Sequence, residues 1–103
     1  MIMATYGEDA KQSEGNYVTL GLELIEEGNY EGAITVLKRN TQAYPIYPAN
    51  FAWLADAYEK NEEYTMAIET YSSALTKSKA INFGQEQNYI ENIERLSKIA
   101  QTE

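Results

Sequence analysis

The sequence predicts an all-α protein: two antiparallel helical hairpins packed side by side as a short α-solenoid, closed by a fifth helix. Three observations predict it. The chain repeats itself at an interval of 34 residues, because Tyr17-Val18-Thr19-Leu20-Gly21 lines up with Phe51-Ala52-Trp53-Leu54-Ala55. Within each copy the apolar residues recur at helical rather than alternating spacing. Turn-forming residues, Gly28-Asn29 and then Pro45 and Pro48, fall between the periodic segments.

The first helix is read from Tyr17, Leu20, Gly21, Leu24 and Gly28, which follow i, i+3, i+4, i+7, i+11 and so share one face, expected to look inward. Gly28 supplies a left-handed stop, and Asn29 caps a second helix over 30–43 with Ala33, Ile34, Leu37 and Asn40 on its inner face. So short a turn makes the two helices antiparallel. Gly21 and Ala33 are small where the axes approach, and Ala55, Ala67 and Ala74 repeat that choice 34 residues on.

Tyr44-Pro45-Ile46-Tyr47-Pro48 ends the second helix, since a residue before proline is pushed to extended geometry and proline suits the start of the next helix. A third helix is expected over 49–60. Glu62 stands where the first copy has Gly28, so Asn61 is expected to take the left-handed position. The fourth helix covers 64–77 and is free to run on, because Lys79 replaces the proline of the first copy.

From 85 to 101, Tyr89, Ile93, Leu96 and Ala100 form a stripe flanked by Ile90 and Ile99, with Glu91, Glu94, Arg95 and Lys98 on the other side. This fifth helix lacks the aromatic-Leu-small signature at the 34-residue register, where Asn88 and Tyr89 stand, and reads as a cap over the last hairpin. The resulting division is an N-terminal tail over 1–12, repeats over 13–47 and 48–81, and a closing helix over 82–103.

The paired positions (Leu24 with Tyr58, Tyr30 with Tyr64, Ala33 with Ala67, Ile34 with Ile68, Leu37 with Tyr71) resemble the tetratricopeptide repeat. That resemblance implies a non-catalytic scaffold whose first helices line a concave groove for a peptide or helix of another protein. On this chain the flank carries Val18, Leu22 and Ile25 in the first repeat and Ala52, Asp56 and Glu59 in the second, half apolar and half acidic. Apolar-basic partner segments are therefore expected. Some members of the family clamp a partner's C-terminal carboxylate with basic residues on this flank; none of these six is basic, so acidic tails are not expected ligands. Two plainer readings cover Leu22 and Ile25 instead: the N-terminal tail, or a second copy in a homodimer.

Composition bounds the chemistry. At 103 residues the chain forms one domain, with 44% hydrophobic and 23% charged residues, which places it among folding globular chains. It has neither cysteine nor histidine, which removes disulfides, thiolate or imidazole metal sites and the Ser-His and Cys-His nucleophile pairs. No catalytic residue, metal or cofactor is expected. A net charge of −8 opposes nucleic acid and anionic membrane surfaces as partners. No apolar run has the length of a signal peptide or membrane span, so a soluble cytoplasmic chain is the default, void if a longer secreted protein surrounds it.

The carboxylate pairs Glu26-Glu27 and Glu62-Glu63 read as solvated turns rather than acid-base pairs. Trp53 lies beside the core register, open either to a neighbouring helix or to a partner. An alternative function rests on Leu37-Lys38-Arg39-Asn40, Tyr44-Pro45, Asn50 and Leu54-Ala55-Asp56-Ala57-Tyr58, which resemble the repeat-containing tail of bacterial esterase-type α/β-hydrolases. It would make the chain a non-catalytic accessory region of a larger enzyme.

Overall fold

The computed structural model describes residues 14–102, which form five helices and no strand. These are α1 (Glu14–Glu26), α2 (Tyr30–Ala43), α3 (Pro48–Lys60), α4 (Tyr64–Ile81) and α5 (Glu86–Gln101). The tail expected over 1–12 lies outside the described residues. Each helix packs chiefly on its neighbour in sequence, α1 on α2, α2 on α3, α3 on α4 and α4 on α5. The chain thus zigzags between two layers, with α1, α3 and α5 in one and α2 and α4 in the other.

Small residues set the closest approaches. A Cβ built on Gly21 would lie 2.6 Å from two carbon atoms of the Leu37 side chain, so only glycine lets α1 reach α2 there. Ala33, Ala55, Ala57, Ala67 and Ala74 are all fully buried, and Leu37, Leu54, Tyr58, Tyr71, Tyr89 and Leu96 fill the space between them. Burying such side chains contributes about 1.5–3 kcal/mol each before the entropy of ordering them is counted.

Three of the four helix exits within the repeat region use one device. Asn29 N donates to Leu24 O at 2.8 Å, Glu63 N to Tyr58 O at 2.9 Å and Phe83 N to Ser78 O at 2.9 Å, each bond closing over a residue with positive φ. Those residues are Gly28 (φ 82°), Glu62 (φ 63°) and Asn82 (φ 60°). The middle turn corrects the sequence reading: Glu62, not Asn61, is left-handed, while Asn61 has φ −89°. The 34-residue register outweighs the local preference of asparagine, and Asn61 uses its side chain instead, donating to Glu31 Oε2 (3.1 Å) and Glu63 Oε2 (2.7 Å). Asn29 does cap α2, its side chain accepting from Gly32 N at 3.0 Å.

Leu20 is a second correction. Its spacing puts it on the inward face with Gly21 and Leu24, yet it is 42% exposed, whereas its register partner Leu54 is 5% exposed. α3 has α2 on one side and α4 on the other; among the described residues α1 packs mainly on α2 and only marginally on α3, leaving one flank open.

α4 is four residues longer than α2, 18 against 14, and α5 starts 38 residues after α3 rather than 34. At that interval Phe51 pairs with Tyr89, Ala55 with Ile93 and Tyr58 with Leu96. α5 is therefore a displaced copy of a first helix. It carries Ile93 where the two true repeats carry Gly21 and Ala55, a residue too large to admit another close-packed helix.

Candidate protein-binding face

The layer of α1, α3 and α5 carries the six groove residues expected from sequence. Val18, Leu22 and Ile25 are half-buried along α1, and Ile25 also packs on the core. Ala52, Asp56 and Glu59 are likewise half-buried on α3. Ala52 and Asp56 open onto a cleft of about 450 Å³ between α3 and α5, whose other walls include Trp53, Tyr71, Phe83, Gln85, Asn88, Tyr89 and Asn92.

The cleft exists because α3 and α5 barely touch. What spans the gap is an ion pair: Arg95 Nη1 donates to Glu59 Oε2 at 2.7 Å and Nη2 to Glu59 Oε1 at 3.0 Å. Arg95 Nη2 also donates to Asn92 Oδ1 at 2.8 Å. Arg95, expected among the solvent-side residues of α5, thus reaches back to α3. The bonded guanidinium holds the Glu59 carboxyl below its ordinary range, against the opposing effect of burial. Lys60 Nζ lies 3.0 Å from Asp56 Oδ1, one turn along the same helix. Both acidic groove residues therefore have a basic neighbour.

Tyr71 and Tyr89 floor the cleft, with ring centroids 6.3 Å apart. Burial, then the charges of Asp56 and Glu59, push the Tyr71 phenol up to about 12, and Arg95 offsets part of this. Burial, then the charge of Glu86, raises Tyr89 as well. Both phenols stay neutral across physiological pH. Trp53 and Phe83, 38% and 44% exposed, are apolar walls left open to solvent. Of the two readings for Trp53, the structure favours the one open to a partner.

Sequence reasoning missed the α5 side of this cleft. Gln85, Asn88, Asn92 and Arg95 recur at i, i+3, i+7, i+10, a polar stripe beside the apolar one. That spacing could have been noticed, but polar side chains on a closing helix read as solvent cover. Among the described residues no three acidic side chains are grouped to hold a metal, and no helix is long and apolar enough to cross a membrane.

Comparison with known proteins agrees with this architecture. Residues 50–76, α3 with most of α4, match the family model of the tetratricopeptide repeat. The solution structure of a protein from Bordetella parapertussis superposes with a TM-score of 0.76 at 18% identity, covering 100% of this chain and 95% of that one. The solution structure of a tetratricopeptide repeat domain protein from Salinibacter ruber gives a TM-score of 0.61 at 16% identity, covering 88% and 86% respectively. No curated protein matches the chain.

Proposed function

We propose that this chain, which carries a tetratricopeptide repeat at residues 50–76 and has that fold throughout its described residues, is a non-catalytic interaction module that takes a peptide or helix of another protein on the face formed by α1, α3 and α5. What supports the reading is the α3–α5 cleft, where two large aromatic side chains, Trp53 and Phe83, stay exposed beside Ala52 and Asp56. Exposed aromatic walls around a concavity favour an occupant with apolar anchors. Val18, Leu22 and Ile25 extend that surface along α1. Asp56 and Glu59 set the sign: their pairing with Lys60 and Arg95 moderates the field, yet acidic ligands still meet two carboxylates.

An apolar-basic peptide titrated into isotope-labelled protein should shift amide resonances on α1 and α3, with affinity in roughly the micromolar range, about −8 kcal/mol. Leu22→Glu should abolish the α1 shifts and leave helicity unchanged. Shifts confined to the opposite layer around Glu31, or equal binding of an acidic peptide, would overturn the reading.

A further inference from the structure

The α3–α5 cleft has a chemistry more specific than a general groove, and the inference drawn from it rests on the binding role proposed above. Four aromatic side chains line it: Trp53, Tyr71, Phe83 and Tyr89. Beside them stands one carboxylate, Asp56, whose partner Lys60 is an exposed i,i+4 neighbour, a weak pairing that a ligand can displace or share. Tyr71, only 6% exposed, still lines the cleft. Gln85 and Asn88, both exposed on the α5 wall, add uncharged amide oxygens.

The field selects the ligand's charge. Asp56 and Glu59 outweigh Arg95 at the Tyr71 hydroxyl, and Glu86 acts in the same direction at Tyr89. A carboxylate entering the cleft would be repelled, and a neutral apolar group would leave Asp56 with Lys60 alone and offer nothing to the Tyr71 hydroxyl. A cation satisfies both and is attracted to aromatic faces. Among biological cations a guanidinium fits best, because it is planar, stacks on indole and presents five donors to several acceptors at once.

We propose that the cleft receives the guanidinium of an arginine from the partner segment, stacked on Trp53 and hydrogen-bonded to the Asp56 carboxylate and the Tyr71 hydroxyl. The arginine anchors the segment at the α3–α5 end, while its apolar residues run toward Leu22.

The test uses the full chain and capped leucine-alanine peptides identical except at one central residue, which is arginine, citrulline or glutamate. Trp53 is the only tryptophan, so its fluorescence reports the cleft directly. The arginine peptide should change Trp53 emission and bind about tenfold more tightly than its citrulline twin, which keeps the planar shape but loses the charge and exchanges a nitrogen donor for a carbonyl oxygen. Asp56→Asn should erase that difference, and Tyr71→Phe, which preserves the packed ring, should reduce it. Equal binding of the citrulline peptide overturns the inference. So do amide shifts confined to Val18, Leu22 and Ile25 with Trp53 silent, an outcome that leaves the broader groove reading standing. Absence of shifts on both α1 and α3 removes the two together.

Discussion

Arg95 and Glu59, 36 residues apart, meet fork to fork between α5 and α3, with N–O distances of 2.7 and 3.0 Å. Paired N–H groups fix orientation as well as distance, so this contact aligns the closing helix on the second repeat. Both side chains remain partly exposed, which limits the stabilisation to about 0.5–1 kcal/mol.

Replacing Arg95 with Ala should therefore lower unfolding free energy by that amount in urea titrations. The pair also has a pH signature. Glu59 has a lowered carboxyl pKa in the folded state, so its contribution is complete above the unfolded carboxylate value. It should be lost as pH falls through the lowered value. In Arg95→Ala the Glu59 resonance should titrate at higher pH than in the parent protein. An unchanged Glu59 titration would show that the pair does not persist in solution.

Glu62 occupies a left-handed conformation that costs a residue with a Cβ about 1–2 kcal/mol. Its register partner is Gly28, which has the same backbone and no such cost. Glu62→Gly should raise stability by about 0.5–1 kcal/mol, the relief of strain exceeding the extra entropy of the unfolded chain. A lower melting temperature would mean that the Glu62 side chain contributes more than its backbone strains.

Asn40 is fully buried on α2, and among the described residues neither its amide nitrogen nor its carbonyl oxygen has a hydrogen-bond partner. The same register position in the second repeat is Ala74, also fully buried. A burial penalty of about 1–3 kcal/mol for unpaired polar atoms offsets the packing that the side chain supplies. Asn40→Ala should be neutral or stabilising by up to about 1 kcal/mol. A loss above about 2 kcal/mol would show that a bound water completes the amide's bonds.

Ending the chain before Gln85 should uncover Tyr71, which now packs on Tyr89 of α5, and the face of α4 around it. A two-repeat stack with that face bare should self-associate at concentrations where the full chain does not. Sedimentation measured on both forms decides it. A truncated chain with unchanged mass and melting temperature would deny α5 its closing role.

Much of this architecture could be read directly from residue spacing. Gly28-Asn29 and Tyr44-Pro45 mark their turns by backbone chemistry that needs no tertiary partner, and the bounds expected for α2, 30–43, are those observed. Leu20 and Glu62 were misread for opposite reasons. The inward placement of Leu20 rests on spacing alone, and burial depends on neighbours as well as on periodicity. The expectation for Asn61 trusted a residue preference of a fraction of a kcal/mol over a register enforced by the whole core. The α5 wall of the cleft was hidden because Asn88 and Asn92 look the same in sequence whether they face water or a ligand.

The added length at the end of α4 carries a consequence for insertions and deletions. Four residues are about 1.1 helical turns, so the point from which α5 departs moves by about 6 Å along α4 while turning only about 40° around it. The apolar stripe of Tyr89, Ile93 and Leu96 then still meets α4, which is how the chain departs from its own period without unpacking. An indel of one or two residues between Ser78 and Ile81 would instead rotate everything downstream by about 100° or 200°. That would carry α5 away from the face of α4 it now covers. The junction behaves as a vernier that accepts whole turns and rejects fractions, and length variants built there should fold or fail with helical phase rather than with the number of residues changed.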